Sequence, residues 1–293
     1  MVDDGLTGPN HPYSNDKPYM VIDHTGGAYD GNVYVSWTQA GYNEVEHIEF
    51  LGLKNDANGT LTSIPGTRQH IHDYGHGGGG PATQDILVEG TVYTSIPAVG
   101  RSHEPLGNRV YVFYSMPNSD TPEYRVRSST DGGETFESTY SHVANYTKRQ
   151  EGGGRYMNNI PSAAVDPSNG NVYFVIATPS QSDLSAWRVN FYRSINNGHL
   201  FEQRAFPTPA AIGETNYADF LPALAVDQSG NIAVTLLHTS DRSTVDCYLI
   251  RSTDNGQTFS PPTKITVSSS DLFGTWATTD YMGVAAYSRD PHI

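Results

Sequence analysis

The chain has 293 residues, of which 37% are apolar, and it is rich in glycine, proline and tyrosine, with 29, 18 and 19 copies. Its formal net charge of −14 would repel nucleic acids and anionic membranes. No apolar run is long enough to cross a bilayer, so we expect neither a nucleic-acid partner nor membrane insertion.

The N-terminal sequence bears on the compartment. Residues 1–16 lack the basic start and the apolar core of a signal peptide. The localisation is therefore unknown at this stage, and a secreted or periplasmic location is expected if such a peptide has been removed. The single cysteine, Cys247, excludes an intrachain disulfide and does not decide the compartment.

Strand signals recur along the whole chain. Segments rich in Val, Ile, Tyr and Phe and bounded by Gly, Asn and Asp occur at 31–39, 108–116, 170–178 and 230–238. A matching segment with a proline precedes each one, at Pro18, Pro97, Pro161 and Pro222, and Gly283 takes the fifth place. The steps are 79, 64, 61 and 61 residues, and an all-strand repeat of this length predicts the blade of a β-propeller.

The repeat predicts one all-β domain over residues 1–293, a propeller of four-stranded antiparallel blades. The blades are expected at 14–68, 91–143, 156–206 and 217–267, with a fifth from about 278. Five blades are favoured, and six are the alternative. In blade four, the predicted strands are 221–227, 230–238, 245–253 and 257–265.

One short turn is repeated. The pattern Ser-x-Asp-x-Gly-x-Thr-Phe occurs at 129–136 and 252–259, and an incomplete match to it occurs at 194–201. We expect it to join the third and fourth strands of a blade. Asp254 would accept hydrogen bonds from backbone amides of its own turn, Gly256 would take a positive φ, and Phe259 would be buried between sheets.

These turns resemble the Asp-box of the sialidase-like (BNR-repeat) propeller superfamily, and through the period the resemblance covers nearly the whole chain. It implies a propeller in which the turns lie on the outer rim, away from any active site, so we assign them a structural role. The resemblance to sialidases implies six blades. A propeller of five blades would therefore differ from the sialidases of this superfamily.

Three carboxylates are expected at the channel mouth. The first strand of each blade lines the channel, so residues just before it meet at one end; among them are Asp16, Asp219 and Asp280. Glycoside hydrolysis uses paired carboxylates, and their mutual repulsion separates their pKa values. The alternative is that each aspartate caps a turn.

Glu214 and Tyr217 precede Asp219 closely. The resemblance to sialidases implies a tyrosine nucleophile with a glutamate partner, a separate aspartate and three arginines for a substrate carboxylate. Tyr217 could equally be a packing residue. The Arg-Ile-Pro motif of sialidases is missing, and the nearest candidate arginines are Arg101, Arg155 and Arg242.

Two further stretches are candidates for ligand contacts. The glycine-rich segment 151–159 leads into blade three and would bring Arg155, Tyr156, Asn158 and Asn159 to the mouth. An inserted His/Gly-rich loop is expected at about 69–90, with His76 as a substrate-binding candidate.

The same loop raises the question of a metal. His70, His72 and His76 are close enough in sequence to bind a divalent ion such as Zn²⁺, or to include a general acid or base. A solvated loop without a ligand is the simpler alternative, so no cofactor is assigned.

Together these features favour a carbohydrate-active glycoside hydrolase, either sialidase-like or another glycosidase, acting on a glycan at the channel mouth. The alternatives are a non-catalytic propeller that binds glycans or proteins, and a polysaccharide lyase that uses His and Tyr. Architecture alone does not separate them, because propellers host many functions.

Overall fold

The structure is a computed structural model that describes residues 13–41, 47–55, 58–67, 69–73, 93–101, 107–116, 122–146, 160–179, 186–210, 217–271 and 282–287. Within these ranges the regular structure consists of β-strands without any helix. The described residues accordingly include no helix long and apolar enough to cross a membrane.

The strands form three sheets. They divide into four consecutive antiparallel units, here called blades one to four, because a single parallel bridge between Trp187 and Ala218 joins the last two units into one sheet. Blade one contains β1 (Tyr13–Ile22), β2 (Val33–Gly41), β3 (His47–Asn55) and β4 (Leu61–Ser63), and β5 (Gln69–Asp73) also pairs with β3. Blade two contains β6 (Tyr93–Arg101), β7 (Asn108–Met116), β8 (Glu123–Ser129) and β9 (Ser141–Asn145).

Blades three and four repeat this order. Blade three contains β10 (Ser162–Val165), β11 (Val172–Pro179), β12 (Trp187–Ser194) and β13 (Glu202–Arg204). Blade four contains β14 (Ala218–Val226), β15 (Ile232–Thr239), β16 (Thr244–Ser252) and β17 (Thr263–Lys264), with β18 (Ser270–Asp271) also on β16. The first strands contact one another in the order β1, β6, β10, β14, so the blades are arranged side by side.

The core lies between the blades. Strands β7 and β11 are buried along their whole length, because a neighbouring sheet covers each of their faces. Phe113 of blade two stacks on Phe174 of blade three with ring centroids 5.3 Å apart. Burying one such side chain stabilises the fold by about 1.5–3 kcal/mol, which explains why these strands are apolar and aromatic on both faces.

The four predicted second strands are confirmed, but the first strand of blade four begins earlier than expected. β14 starts at Ala218 rather than at 221, because a register irregularity between Phe220 and Ala223 lies inside the strand. Pro222 falls at this irregularity, where its missing N–H removes no ladder hydrogen bond. Leu221 there has a φ of 45°.

Three other expectations have different outcomes. The fourth strand of blade four was expected over 257–265, but β17 covers only Thr263–Lys264, because residues 257–259 belong to the turn and residues 260–262, which include two prolines, are irregular. The expected insertion at 69–90 begins with strand β5. Most of the predicted fifth blade falls outside the described residues, so the number of blades stays a prediction.

The repeated turns, here called the Ser-Asp-Gly turns (129–136, 194–201 and 252–259), have the same hydrogen bonds. The Ser252 hydroxyl donates to Asp254 Oδ1 at 2.8 Å and accepts from the Gly256 amide at 3.0 Å. Asp254 Oδ1 also accepts from the backbone amide of Thr258 at 2.9 Å. Gly256 has a φ of 71°, as expected. In the middle turn, Asn196 replaces the aspartate and keeps the amide-accepting role.

Each Ser-Asp-Gly turn packs a glycine against an aromatic ring of the preceding blade. A Cβ at Gly256 would lie 2.9 Å from Phe191 of blade three, and a Cβ at Gly133 would lie 2.7 Å from Phe50 of blade one. Phe259 also meets the Phe191 ring edge-on, with centroids 4.8 Å apart. The turn therefore fastens one blade to the one before it.

We expect Gly256→Ala to destabilise the protein more than Gly31→Ala. Both positions have positive φ, which costs an L-residue about 1–2 kcal/mol, but a Cβ at Gly31 has no atom within 4 Å. Overpacking against Phe191 should add about 1–3 kcal/mol to the cost of Gly256→Ala. Urea unfolding midpoints measure both changes, and equal losses would contradict the proposed blade contact.

Asp254 should make stability depend on acid pH. The Thr258 hydroxyl and amide and the Ser252 hydroxyl lower the pKa of the Asp254 carboxyl from 3.8 to about 2. The folded state therefore binds this proton more weakly than the unfolded chain, and the stabilisation is lost as pH falls from 3.8 towards 2. Asp254→Asn should reduce this loss in acid unfolding curves while leaving the turn formed at neutral pH, as Asn196 does in the middle turn.

Candidate active site

Asp219 is the centre of a buried polar cluster at the start of blade four. It is the second residue of β14 and is 1% exposed. Its Oδ1 lies 2.7 Å from His238 Nδ1, and its Oδ2 accepts a hydrogen bond from the Thr208 hydroxyl at 2.5 Å. Each oxygen therefore has one donor, which suits an ionised carboxylate.

This contact orients the ring of His238. A carboxylate only accepts hydrogen bonds, so Nδ1–H of His238 donates to Asp219, and in the neutral ring the lone pair is then on Nε2. Nε2 has no hydrogen-bond partner among the described residues, and the residue is 8% exposed. An imidazole oriented by a buried carboxylate is a group that can accept or donate a proton at Nε2.

Aromatic rings hold the imidazole on two sides. The Tyr217 ring centroid lies 6.1 Å from that of His238, and the Tyr248 ring meets His238 edge-on at 5.6 Å. Tyr217 is 1% exposed, and its hydroxyl has no hydrogen-bond partner in the described part of the protein. The Arg188 guanidinium of blade three lies 5.6 Å from the Tyr217 ring centroid, which places the cluster where blades three and four meet.

A second carboxylate follows on the next strand. Asp246 of β16 is the register partner of His238. Desolvation raises the pKa of the Asp246 carboxyl, but hydrogen bonds from Lys264, Thr266 and Ser269 outweigh it and lower the pKa overall. Asp246 is thus held ionised by its own donors, beside the Asp219–His238 pair.

Blade one contains a neutral version of the same pair. Gln39 is the register partner of Asn15, and its amide donates to Asn15 Oδ1 at 3.2 Å. Asn15 precedes Pro18 by three residues, as Asp219 precedes Pro222. The two pairs therefore occupy corresponding positions, and the pair in blade four is the ionisable one.

The backbone register also separates Asp16 from Asp219. Lys17 and Leu221 are the corresponding positive-φ residues, with φ of 52° and 45°, so Asp16 corresponds to Phe220 rather than to Asp219. The expected equivalence of Asp16 and Asp219 is not found in the backbone, and the Asp16 side chain lies outside the described residues.

Of the expected site residues, the structure brings Asp219 and Tyr217 together. The other expected positions lie outside the described residues and stay predictions: Asp280, Glu214, Arg155, Tyr156, Asn158, Asn159 and His76. The backbones of His70 and His72 belong to β5, and their side chains are outside the description. The described residues contain no group of three His, Cys, Asp or Glu side chains that could hold a metal ion, so the metal hypothesis stays a prediction.

The turn at 252–259 and two of the candidate arginines can be placed relative to Asp219. Asp219 is at the start of β14, whereas the turn at 252–259 follows the end of β16, so this Ser-Asp-Gly turn and Asp219 are at opposite ends of blade four. Arg101 ends β6 and donates to the Thr25 carbonyl at 3.4 Å, which also places it at the far end from the first-strand starts. Arg242 lies in the β15–β16 hairpin, at the same end as Asp219.

His238 and Thr208 were missed in the sequence. His238 ends a strand that the sequence indicated, and antiparallel pairing of a first strand with a second strand brings the start of one to the end of the other. That rule could have pointed to His238. Thr208 gave no signal, because it lies in the irregular segment between β13 and β14.

Comparisons with known proteins agree on the fold. No family model matches the sequence, and no curated protein does. Among solved structures, the protein is similar to the GH93 α-L-arabinofuranosidase of Fusarium graminearum, with a TM-score of 0.58 and 14% identity over 87% of this chain and 68% of that one.

Two more structures are similar to this protein. The α-L-arabinanase of Penicillium chrysogenum has a TM-score of 0.54 and 12% identity, covering 88% of this chain and 71% of that one. A Dyadobacter fermentans protein of unknown function has a TM-score of 0.50 and 14% identity, covering 87% and 70%. At these identities the likeness establishes a propeller fold for this protein and does not transfer chemistry.

Removing the Asp219 carboxylate should destabilise the protein by about 1–3 kcal/mol, because Asp219→Ala leaves the buried His238 donor and the half-buried Thr208 donor without an acceptor. The matched change Asn15→Ala should cost less than about 1 kcal/mol, since Asn15 is exposed and water can take its place. Unfolding midpoints of both variants measure the difference, and equal costs would mean that the blade-four pair is not a buried polar centre.

Proposed function

We propose that this protein is a carbohydrate-active glycoside hydrolase whose proton-transfer group is His238, oriented by Asp219. The observation that carries the proposal is the buried Asp219–His238 pair, at a position where blade one has the neutral pair Asn15–Gln39. Blade one has a neutral and more exposed pair at this position, so the repeat itself does not require charge there. An ionisable pair in only some repeats is what a site grafted on a repeated scaffold would produce.

In this proposal each group has its own role. Asp219 is buried and accepts a hydrogen bond at each oxygen, so it orients His238 and stabilises the imidazolium rather than contacting the substrate. The lone pair at His238 Nε2 can take a proton from water, or the protonated ring can donate one to the leaving glycosidic oxygen. The second carboxylate that hydrolysis commonly uses would come from Asp16 or Asp280, which stay predictions.

The ligand class has support from the fold. The two enzymes named above act on arabinose-containing substrates by their descriptions, and both share the propeller architecture. This likeness makes α-L-arabinofuranosides reasonable first substrates. An α-sialoside should be tested with them, because the repeated turns resemble those of the sialidase-like superfamily.

A polysaccharide lyase is the second candidate, and one specific observation favours it. The Tyr217 hydroxyl is buried without a described partner, beside an imidazole whose Nε2 likewise has no partner among the described residues. An imidazole and a phenol can share the two proton transfers of an elimination reaction. The products distinguish the reactions, because elimination leaves an unsaturated sugar that absorbs ultraviolet light and hydrolysis does not.

Blade one supplies the variant that tests the proposal. The double variant Asp219→Asn with His238→Gln recreates the Asn15–Gln39 pair, so it should remain folded while losing the ionisable groups. We expect its kcat on the responsive glycoside to fall about 10²–10⁴-fold. The measurement is turnover on a panel of chromogenic α-L-arabinofuranosides, α-sialosides and polysaccharides.

The control is Asp254→Asn, which lies at the opposite end of the blade and should leave kcat unchanged. Full activity in the folded double variant would contradict the role of His238. Binding to a glycan array without turnover of any substrate would instead favour the non-catalytic alternative.

A further inference from the structure

The sequence contains four Asn-Gly dipeptides, at 58–59, 169–170, 197–198 and 255–256. In such a pair, the backbone amide nitrogen of the glycine can attack the carbonyl carbon of the asparagine side-chain amide, because glycine has no side chain that obstructs the approach. A new C–N bond forms, the original C–N bond of the asparagine amide breaks and ammonia leaves, which gives a cyclic imide. Water then opens the imide at either carbonyl to give aspartate or isoaspartate.

Three of the four dipeptides are restrained by the fold. In each, the glycine nitrogen that would have to attack already donates a hydrogen bond: Gly170 to the Asp166 carbonyl at 2.9 Å, Gly198 to the Ser194 hydroxyl at 3.0 Å, and Gly256 to the Ser252 hydroxyl at 3.0 Å. Two of these pairs lie within Ser-Asp-Gly turns that are packed against the preceding blade. The attack would require these turns to open.

The fourth dipeptide lacks this restraint on its glycine. Asn58 and Gly59 are exposed in the connection between β3 and β4. The Gly59 amide makes no hydrogen bond to the described residues, and no atom lies within 4 Å of the position of a Cβ at Gly59. The nitrogen can therefore approach the Asn58 amide without first giving up a hydrogen bond to the described fold.

We propose that Asn58 is a site of spontaneous deamidation in the folded protein, and that the other three Asn-Gly dipeptides are protected. Each event adds one negative charge to a protein whose net charge is already −14. The isoaspartate product also adds a methylene to the backbone of the β3–β4 connection. Both changes lie on the outer part of blade one, away from the Asp219–His238 pair, so this inference does not depend on the proposed function.

The test follows the four dipeptides in one sample. The folded protein is incubated in mildly alkaline buffer, and samples are taken over time and digested with a protease at acidic pH. Mass spectrometry then measures the fraction of aspartate plus isoaspartate in each of the four peptides. Loss of one hydrogen bond corresponds to about a fivefold change in an equilibrium constant. We therefore expect Asn58 to react at least about fivefold faster than the other three in the folded protein.

The same incubation in concentrated urea provides the reference, because unfolding removes all four environments. There the rates of the four sites should become similar. The proposal is overturned if another Asn-Gly site reacts as fast as Asn58 in the folded protein. It is equally overturned if Asn58 stays an amide there while the unfolded protein reacts.

Gly59→Ala is the matched control variant. It adds a methyl group that obstructs attack by the nitrogen, and the open surroundings accept it without a clash. The positive φ of Gly59, 81°, costs an L-residue about 1–2 kcal/mol, so an unfolding curve of the variant accompanies the measurement. The acidic species that forms in the wild type, seen by isoelectric focusing, should be lost in this variant. Its persistence at the wild-type rate would show that it arises elsewhere and would overturn the assignment to Asn58.

Discussion

Packing of each blade on the next is the interaction on which the rest of this structure depends. The second strands β7 and β11 are buried on both faces, so neither sheet could exist alone in water without exposing its aromatic rows. The Ser-Asp-Gly turns serve the same contact. Gly256 meets Phe191 of the preceding blade so closely that a β-carbon does not fit, and its positive φ independently favours glycine.

Blades one and four share the same strand register, so their polar residues can be compared position by position. The first strands of blades one and four have the same irregularity and the same positive-φ residue, Lys17 or Leu221. Three residues before the strand proline, one blade has Asn15 and the other Asp219. Although the backbone is equivalent, the two pairs differ in chemistry and in burial, because Asn15 is exposed whereas Asp219 is 1% exposed.

Burial gives that difference its consequence. Two charged or polar groups removed from water must satisfy one another, and Asp219 does so by accepting from Thr208 and His238. This leaves the carboxylate oriented, and Nε2 of the imidazole has no hydrogen-bond partner among the described residues. The similar arabinan-active enzymes share the scaffold at 14% identity or less, which is expected when packing preserves the fold and a few polar residues set the chemistry.

The sequence by itself determined the repeat, the second strands and the chemistry of the Ser-Asp-Gly turn, because these depend on local alternation and on residues such as Asp254 and Gly256 acting within their own turn. It also indicated Asp219 and Tyr217. The spacing before Pro18 and Pro222 also shows that Asp16 corresponds to Phe220 and Asn15 to Asp219. Only the tertiary structure decided that Asp219 is buried and that His238 is its partner. These two facts depend on cross-strand register and on packing between blades, which hydrophobic periodicity along one strand does not contain.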